Sequence, residues 1–201
     1  IDTGGTFTDF VLVTSAGMQV HKLLSTPHAP AKAILQGIEE LNLMSAAKNG
    51  ELTIIHGSTV ATNAALEEKG VKTAFITNRG LSDMLSIGRQ TRAELYNLCP
   101  YPTNPPVPKS HCLETGGRLN HQGNIIEPLT QDDLKSLIQH IQRLNPAAVA
   151  INLLYSFIDD SHEKAIEAAL PKDLFISRSS YVLPEYKEYE RGMATWLNAS
   201  L

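Results

Sequence analysis

The apolar run Phe10-Val11-Leu12-Val13 and the alternating Met18 to Leu24 bracket a Ser15-Ala16-Gly17 turn, and Phe10 to Thr14 and Met18 to Leu24 read as strands. With the residues that lead into Gly4-Gly5, they predict three short antiparallel strands. Pro27 and Pro30 interrupt the pattern. Ile34, Leu35, Ile38, Leu41 and Leu43 then recur at helical spacing, which predicts a helix over 31–43, and Leu52 to Ile55 reads as a short buried strand. A second helix follows His56-Gly57-Ser58-Thr59, capped by Ser58 or Thr59, with Val60, Asn63, Ala64 and Glu67 on one face. A strand over 72–77 and a short helix over 81–87 complete this alternation, which predicts βαβ units and a parallel section of sheet.

Periodicity lapses from Gly88 to Pro108, where five prolines between 100 and 108 enforce an extended path. A hairpin is predicted from 113–119 and 125–126 around His121-Gln122-Gly123-Asn124. Thr130, with Asp132 and Asp133 in the first turn, starts a helix to Leu144. A strand over 148–155, a helix over 159–170, a strand over 174–177 and a helix over 188–201 repeat the α/β pattern. The expected organisation is an α/β subdomain over 1–90, a second α/β portion over 91–185, and a helix over 186–201 that leads into a further domain. Strands usually run five or six residues, so Ile1 and Asp2 read as the end of a strand that lacks its first residues.

Composition narrows the function classes. A net charge of −4 gives no electrostatic case for nucleic acid or an anionic membrane, and no apolar run approaches the roughly 20 residues of a membrane helix. With no charged-then-apolar leader and only Cys99 and Cys112, the expectation is a cytoplasmic protein with reduced thiols. No Cys-x-x-Cys, His-Glu-x-x-His or Gly-x-Ser-x-Gly spacing occurs.

The chemistry-bearing stretch is Asp2-Thr3-Gly4-Gly5-Thr6-Phe7-Thr8-Asp9. Two glycines can turn the backbone sharply, through positive φ, and present N–H groups to an anion, with hydroxyl donors from Thr3, Thr6 and Thr8. Carboxylates beside a phosphate repel it unless a cation intervenes, so Asp2 and Asp9 point to Mg²⁺. The competing reading is an ordinary polar Gly-Gly hairpin. It is neither a Walker A loop nor a dinucleotide fingerprint. Ligands of parallel sheets gather at the carboxyl ends of strands, where His56 to Asn63 and Asn78 to Gly80 are placed. His56 can donate to a carbonyl or phosphate oxygen, or merely satisfy a βα turn. Arg89 and Arg92 can clamp a carboxylate, or form a solvated loop pair. Trp196 reads as core.

The loop resembles the first phosphate loop of the actin, sugar kinase and Hsp70 superfamily. The strings IDTGGTFTDF, HGSTVATNAALEEKG, ITNRGLSDMLSIGRQ and LPEYKEYERGMATWLNASL resemble the N-terminal portion of the hydantoinase A/5-oxoprolinase family. The resemblance implies an actin-like (ribonuclease H-like) ATPase domain with a mixed sheet, followed by a further α/β portion. It also implies ATP and Mg²⁺ as cofactors, a small cyclic amide as substrate, and ATP-dependent hydrolysis through phosphorylation of the amide oxygen. Some members of the family are carboxylase subunits. Gly4, Gly5, Thr6 and Thr8 are the expected phosphate contacts, and Asp2 is the metal ligand with Asp9 second. Asp2, Asp9 and His56 are the catalytic candidates, and Asn63, Arg89 and Arg92 face the substrate. Partners are the C-terminal half of the same enzyme or a partner subunit, and an oligomer. A small-molecule kinase and a non-catalytic, partner-binding domain are the alternatives.

Overall fold

The computed structural model describes residues 1–26, 28–59, 62, 64–65, 70–91, 96–99 and 104–201. The chain divides into two compact units, Ile1–Lys69 and Gly70–Leu201. The division falls before the strand at 73–78, whereas the sequence pattern grouped that strand with the first portion.

In the first unit a four-stranded mixed sheet runs β3-β2-β1-β4, from β1 (Asp2–Thr3), β2 (Phe7–Thr14), β3 (Gly17–Leu24) and β4 (Gly57–Ser58). β2 pairs antiparallel with both β1 and β3, as the alternation predicts, and β4 joins β1 in parallel. The buried strand expected at 52–55 does not form. β1 offers a partner to Gly57 and Ser58 alone, and Ile54 and Ile55 remain exposed. Helix α1 (Pro30–Glu40) begins on the expected proline, where the missing N–H costs nothing. It stops three residues early because Asn42 turns left-handed (φ 59°), and a short α2 (Met44–Lys48) follows. α1 buries Ala33, Gly37 and Ile38, and Phe10, at 3% exposure, packs its ring directly over Gly37.

The second unit is built on a sheet ordered β10-β9-β5-β6, all parallel, from β5 (Thr73–Asn78), β6 (Cys112–Thr115), β9 (Ala148–Asn152) and β10 (Phe175–Arg178). β5 and β9 are buried throughout, as expected of central parallel strands covered on both faces. α3 (Met84–Ile87) follows β5, and α4 (Gln131–Leu144) precedes β9. Leu137 and Ile141 of α4 and Ile166 of α5 (Ser161–Ala169) pack with Ala74, Ile76, Val149 and Ile151 on one face. After the one-turn α6 (Ser179–Val182), α7 (Glu188–Ser200) supplies Ala199 and the partly buried Trp196 to the cluster around Phe75, Ala148 and Ala150.

Two local outcomes refine the sequence reading. The run 113–119 does not form one arm of a hairpin. Its first part is β6 of the parallel sheet, and only β7 (Arg118–Leu119) pairs back with β8 (Ile125–Glu127). Gly116 and Gly117 break the run: a Cβ on Gly116 would lie 2.4 Å from the Pro128 carbonyl, and Gly117 is left-handed. At Thr130 the expected start is realised as a reciprocal capping box with Asp133, and Asp133 also pairs with Arg79 at the end of β5.

Candidate functional site

The register of the first sheet sorts the loop residues onto two faces. Asp2 lies opposite Asp9, Asp9 opposite Lys22, and Asp2 beside Gly57, so these four form one cross-strand row. Thr3 and Thr8 form the next row with Leu23 and Ser58, and therefore project to the other face. Thr3 and Thr8 are 1% and 0% exposed, whereas Asp2, Gly5 and Thr6 are open to solvent. Alternation thus separates carboxylates from hydroxyls. The expectation that Thr3, Thr6 and Thr8 all offer hydroxyls on the open side holds only for the exposed Thr6.

The two carboxylates are an electrostatic liability as they stand, since like charges directly opposite on a sheet destabilise it. Lys22 offsets one of them, its ammonium 3.0 Å from Asp9 Oδ1. Asp2 has no ion-pair partner among the described residues. Gly57 keeps its flank open, for a Cβ there would stand 4.0 Å from Asp2 Oδ1. The donor set, one free carboxylate and one half-neutralised, suits a hard divalent cation that retains waters and bridges to phosphate oxygens.

The turn between the rows is anchored by its carbonyls. The Gly4 N–H donates to Phe7 O (2.9 Å), the Ser25 hydroxyl donates to Gly4 O (2.8 Å), and the Ser25 N–H donates to Thr6 O (2.9 Å). The amides of Gly5 and Thr6 find no acceptor among the described residues and lie on the exposed side. Neither glycine adopts the left-handed backbone that the sequence suggested. At Gly4 a Cβ would stand 3.0 Å from the Phe7 carbonyl, so a larger residue there would have to push that carbonyl aside. The result is an exposed turn with two N–H groups unengaged among the described residues, next to two carboxylates, an arrangement that can receive a phosphate.

His56 lies just before β4, and its Nε2 is 3.0 Å from Thr3 Oγ1, so the exposed imidazole is tied to the Thr3 side of β1 rather than to the row of Asp2 and Asp9. Asn63 and Arg92 lie outside the described residues. Arg89, in the second unit, is 63% exposed, and its Nε donates to Glu190 at 2.8 Å. The backbone of Glu190 itself and Arg89 hold that carboxyl below its ordinary value. The Asn78–Arg79 position serves the scaffold: Asn78 donates to Gly116 O and accepts from Leu154 N, and Arg79 pairs with Glu127 and Asp133. Arg191, beside Glu190, points the other way, fully buried, and donates to Leu153 O at 2.6 Å.

A cavity of about 430 Å³ in the first unit, lined by Phe10, Leu12, Ile38, Leu41, Leu52 and Ile55 among others, includes neither Asp2 nor Asp9. Ser25, Lys22 and Gly57 were not singled out from the sequence, since only strand register and the path after β3 bring them to the loop. No helix among the described residues is long and apolar enough to cross a membrane.

Residues 1–174 match the family model of the hydantoinase/oxoprolinase N-terminal region. The whole chain aligns with the caprolactamase alpha subunit of Pseudomonas jessenii at 33% identity and with 5-oxoprolinase of Saccharomyces cerevisiae at 30%. It spans 30% and 19% of those proteins' lengths. The crystal structure of ATP-dependent caprolactamase from Pseudomonas jessenii superimposes with a TM-score of 0.80 at 32% identity, over 100% of this chain and 31% of that one.

Proposed function

Since the chain belongs to the hydantoinase/oxoprolinase family, with the fold of an actin-like ATPase N-terminal domain, we propose that it is the phosphate-binding domain of an ATP-dependent cyclic amide hydrolase. The observation that carries the reading is the Gly4–Thr6 turn. Its Gly4 and Thr6 carbonyls are tied to Ser25, its Gly5 and Thr6 amides are free, and an uncompensated carboxylate, Asp2, stands beside it.

An amide is a poor electrophile; ATP would supply the phosphoryl group that activates its oxygen, so that water adds to the carbon, the ring C–N bond breaks and phosphate is released. The contribution of this chain is to position phosphate and disperse charge. Gly5 and Thr6 would donate backbone N–H groups to phosphate oxygens, and Asp2, with Asp9 in support, would hold Mg²⁺. Lys22 keeps Asp9 partly neutralised. Thr8 acts from beneath through Ser25. His56, fixed by Thr3, donates to the substrate carbonyl or a phosphate oxygen. Asn63, Arg89 and Arg92 remain the proposed substrate contacts, and Arg89 would exchange its Glu190 partner for a substrate carboxylate. The rest of the enzyme, as the remainder of the chain or a partner subunit, supplies the other wall of the nucleotide site.

The test is ATP turnover by the full-length protein with a panel of lactams and hydantoins, with products analysed by mass. Ring-opened amino acid formed with equimolar ADP and inorganic phosphate is the expected result, and Asp2→Asn and Gly5→Val should each reduce it at least tenfold. A stable phosphorylated product instead would make the protein a kinase. Full activity in both variants would return the turn to an ordinary hairpin.

A further inference from the structure

Ser25 follows the last residue of β3 and carries no charge, yet it is bonded to both shoulders of the Gly4–Thr6 turn. Its hydroxyl also lies 2.9 Å from the hydroxyl of Thr8. A serine has one hydroxyl hydrogen, and here it is directed at Gly4 O, so Thr8 is the donor in the second contact. The bonds therefore run in one direction, from the Thr8 O–H to Ser25 Oγ and from the Ser25 O–H to the Gly4 carbonyl. Thr8 is fully buried and held in register opposite Thr3, which makes it a rigid base for the chain. The next residue, Thr26, donates to Ala29 O at 2.7 Å and accepts from Ala33 N at 3.3 Å. Ser25 and Thr26 thus seat the turn and the first turn of α1 through adjacent side chains.

The consequence follows from peptide geometry. The carbonyl of Gly4 and the N–H of Gly5 belong to one planar trans peptide and point in opposite directions. Drawing Gly4 O inward onto Ser25 turns the Gly5 N–H outward, to the side where Asp2 and Asp9 stand. The bond from Ser25 N to Thr6 O fixes the far end of the turn in the same way. We infer that Ser25 is the positioning residue of the phosphate loop, setting the direction of the Gly5 N–H through the Thr8–Ser25–Gly4 relay. This rests on the reading of the loop as a phosphate site. Without the hydroxyl, the Gly4–Gly5 peptide is free to rotate, and its preorganisation for an anion is lost.

The experiment compares Ser25→Ala, Ser25→Thr, Thr8→Val and Gly5→Val in the full-length protein, measuring Mg·ATP affinity by calorimetry and the thermal midpoint of each. Ser25→Ala should weaken ATP binding about tenfold, equivalent to about 1.4 kcal/mol, while shifting the midpoint by only a few degrees. Ser25→Thr, which keeps the hydroxyl, should stay within about threefold of the parent. Thr8→Val removes the first donor while conserving shape, and should produce a smaller loss of affinity in the same direction. It takes the place of Ser25→Ala if that variant does not fold. A lowered midpoint with unchanged ATP affinity in these variants would make Ser25 a structural residue only and overturn the inference. Gly5→Val tests the premise separately. If it too leaves ATP affinity intact, the phosphate-loop reading itself fails; if it abolishes binding while Ser25→Ala does not, only the role of Ser25 is lost.

Discussion

Gly37→Ala in α1 is a substitution whose sign the structure reverses. An alanine in a helix interior is favoured over glycine by about 1 kcal/mol, so helix propensity alone makes the change stabilising. At this site the added Cβ would stand 2.1, 2.5 and 2.6 Å from Cζ, Cε1 and Cε2 of Phe10. Carbon atoms pack at about 3.5–4.0 Å, so the ring must retreat by more than an ångström from a position where it is only 3% exposed. Overpacking of this kind costs about 1–3 kcal/mol, and expelling the ring instead forfeits a burial term of similar size, about 1.5–3 kcal/mol. Subtracting the propensity gain leaves a net destabilisation of up to about 2 kcal/mol. Urea unfolding of the parent and Gly37→Ala, with unchanged slope, measures it directly. The double variant Gly37→Ala/Phe10→Leu isolates the contact: shrinking the ring makes room for the methyl, so the two changes together should cost less than their sum. Gly37→Ala at or above parental stability would mean that Phe10 does not rest on α1, and that β2 is not held behind the loop in this way.

Asp133 gives a pH dependence. Burial pushes its carboxyl up, but the hydroxyl and amide of Thr130 and the guanidinium of Arg79 outweigh that and hold it below the ordinary value. A depressed folded value contributes stability above the unfolded value of about 3.9 and loses it as pH falls through the folded one. Asp133→Asn should therefore cost about 1.5–3 kcal/mol at pH 7, with the gap closing below about pH 4, and a gap independent of pH would refute it. Burial pushes the Cys112 thiol up to about 11, while Cys99 is exposed. At pH 8 only about 0.1% of Cys112 is then thiolate. Iodoacetamide should label Cys99 well before Cys112 in the native protein and both equally in urea; equal native rates would contradict the burial of Cys112.

Much of the fold was legible because it is local. An apolar run marked β2 and alternation β3, Pro30 set the start of α1, and Thr130 with Asp132 and Asp133 marked the start of α4. β5 and β9 fall within the strands read at 72–77 and 148–155, apart from Asn78 at the end of β5. Segments that failed are those whose state depends on a distant partner. Leu52 to Ile55 has the composition of a strand, but the strand pairing of β1 is with Gly57 and Ser58. The run from 113 was split because Gly116 must let the Pro128 carbonyl approach, a contact that no local pattern announces.

For the site, the sequence by itself determined the ingredients: two carboxylates, two glycines and three hydroxyls within eight residues, in a family-like string that placed Asp2 and Gly5 together. Only the tertiary structure decided how they are used. Register put Asp2 opposite Asp9 on an open face and sent Thr3 and Thr8 into the interior. The return of the chain after β3 brought Ser25 beneath the turn, tying its carbonyls inward and leaving its amides outward. A side chain's identity is written in the sequence. The face it occupies and the peptide it turns are set by hydrogen bonds to residues far along the chain, which adjacent residues cannot specify.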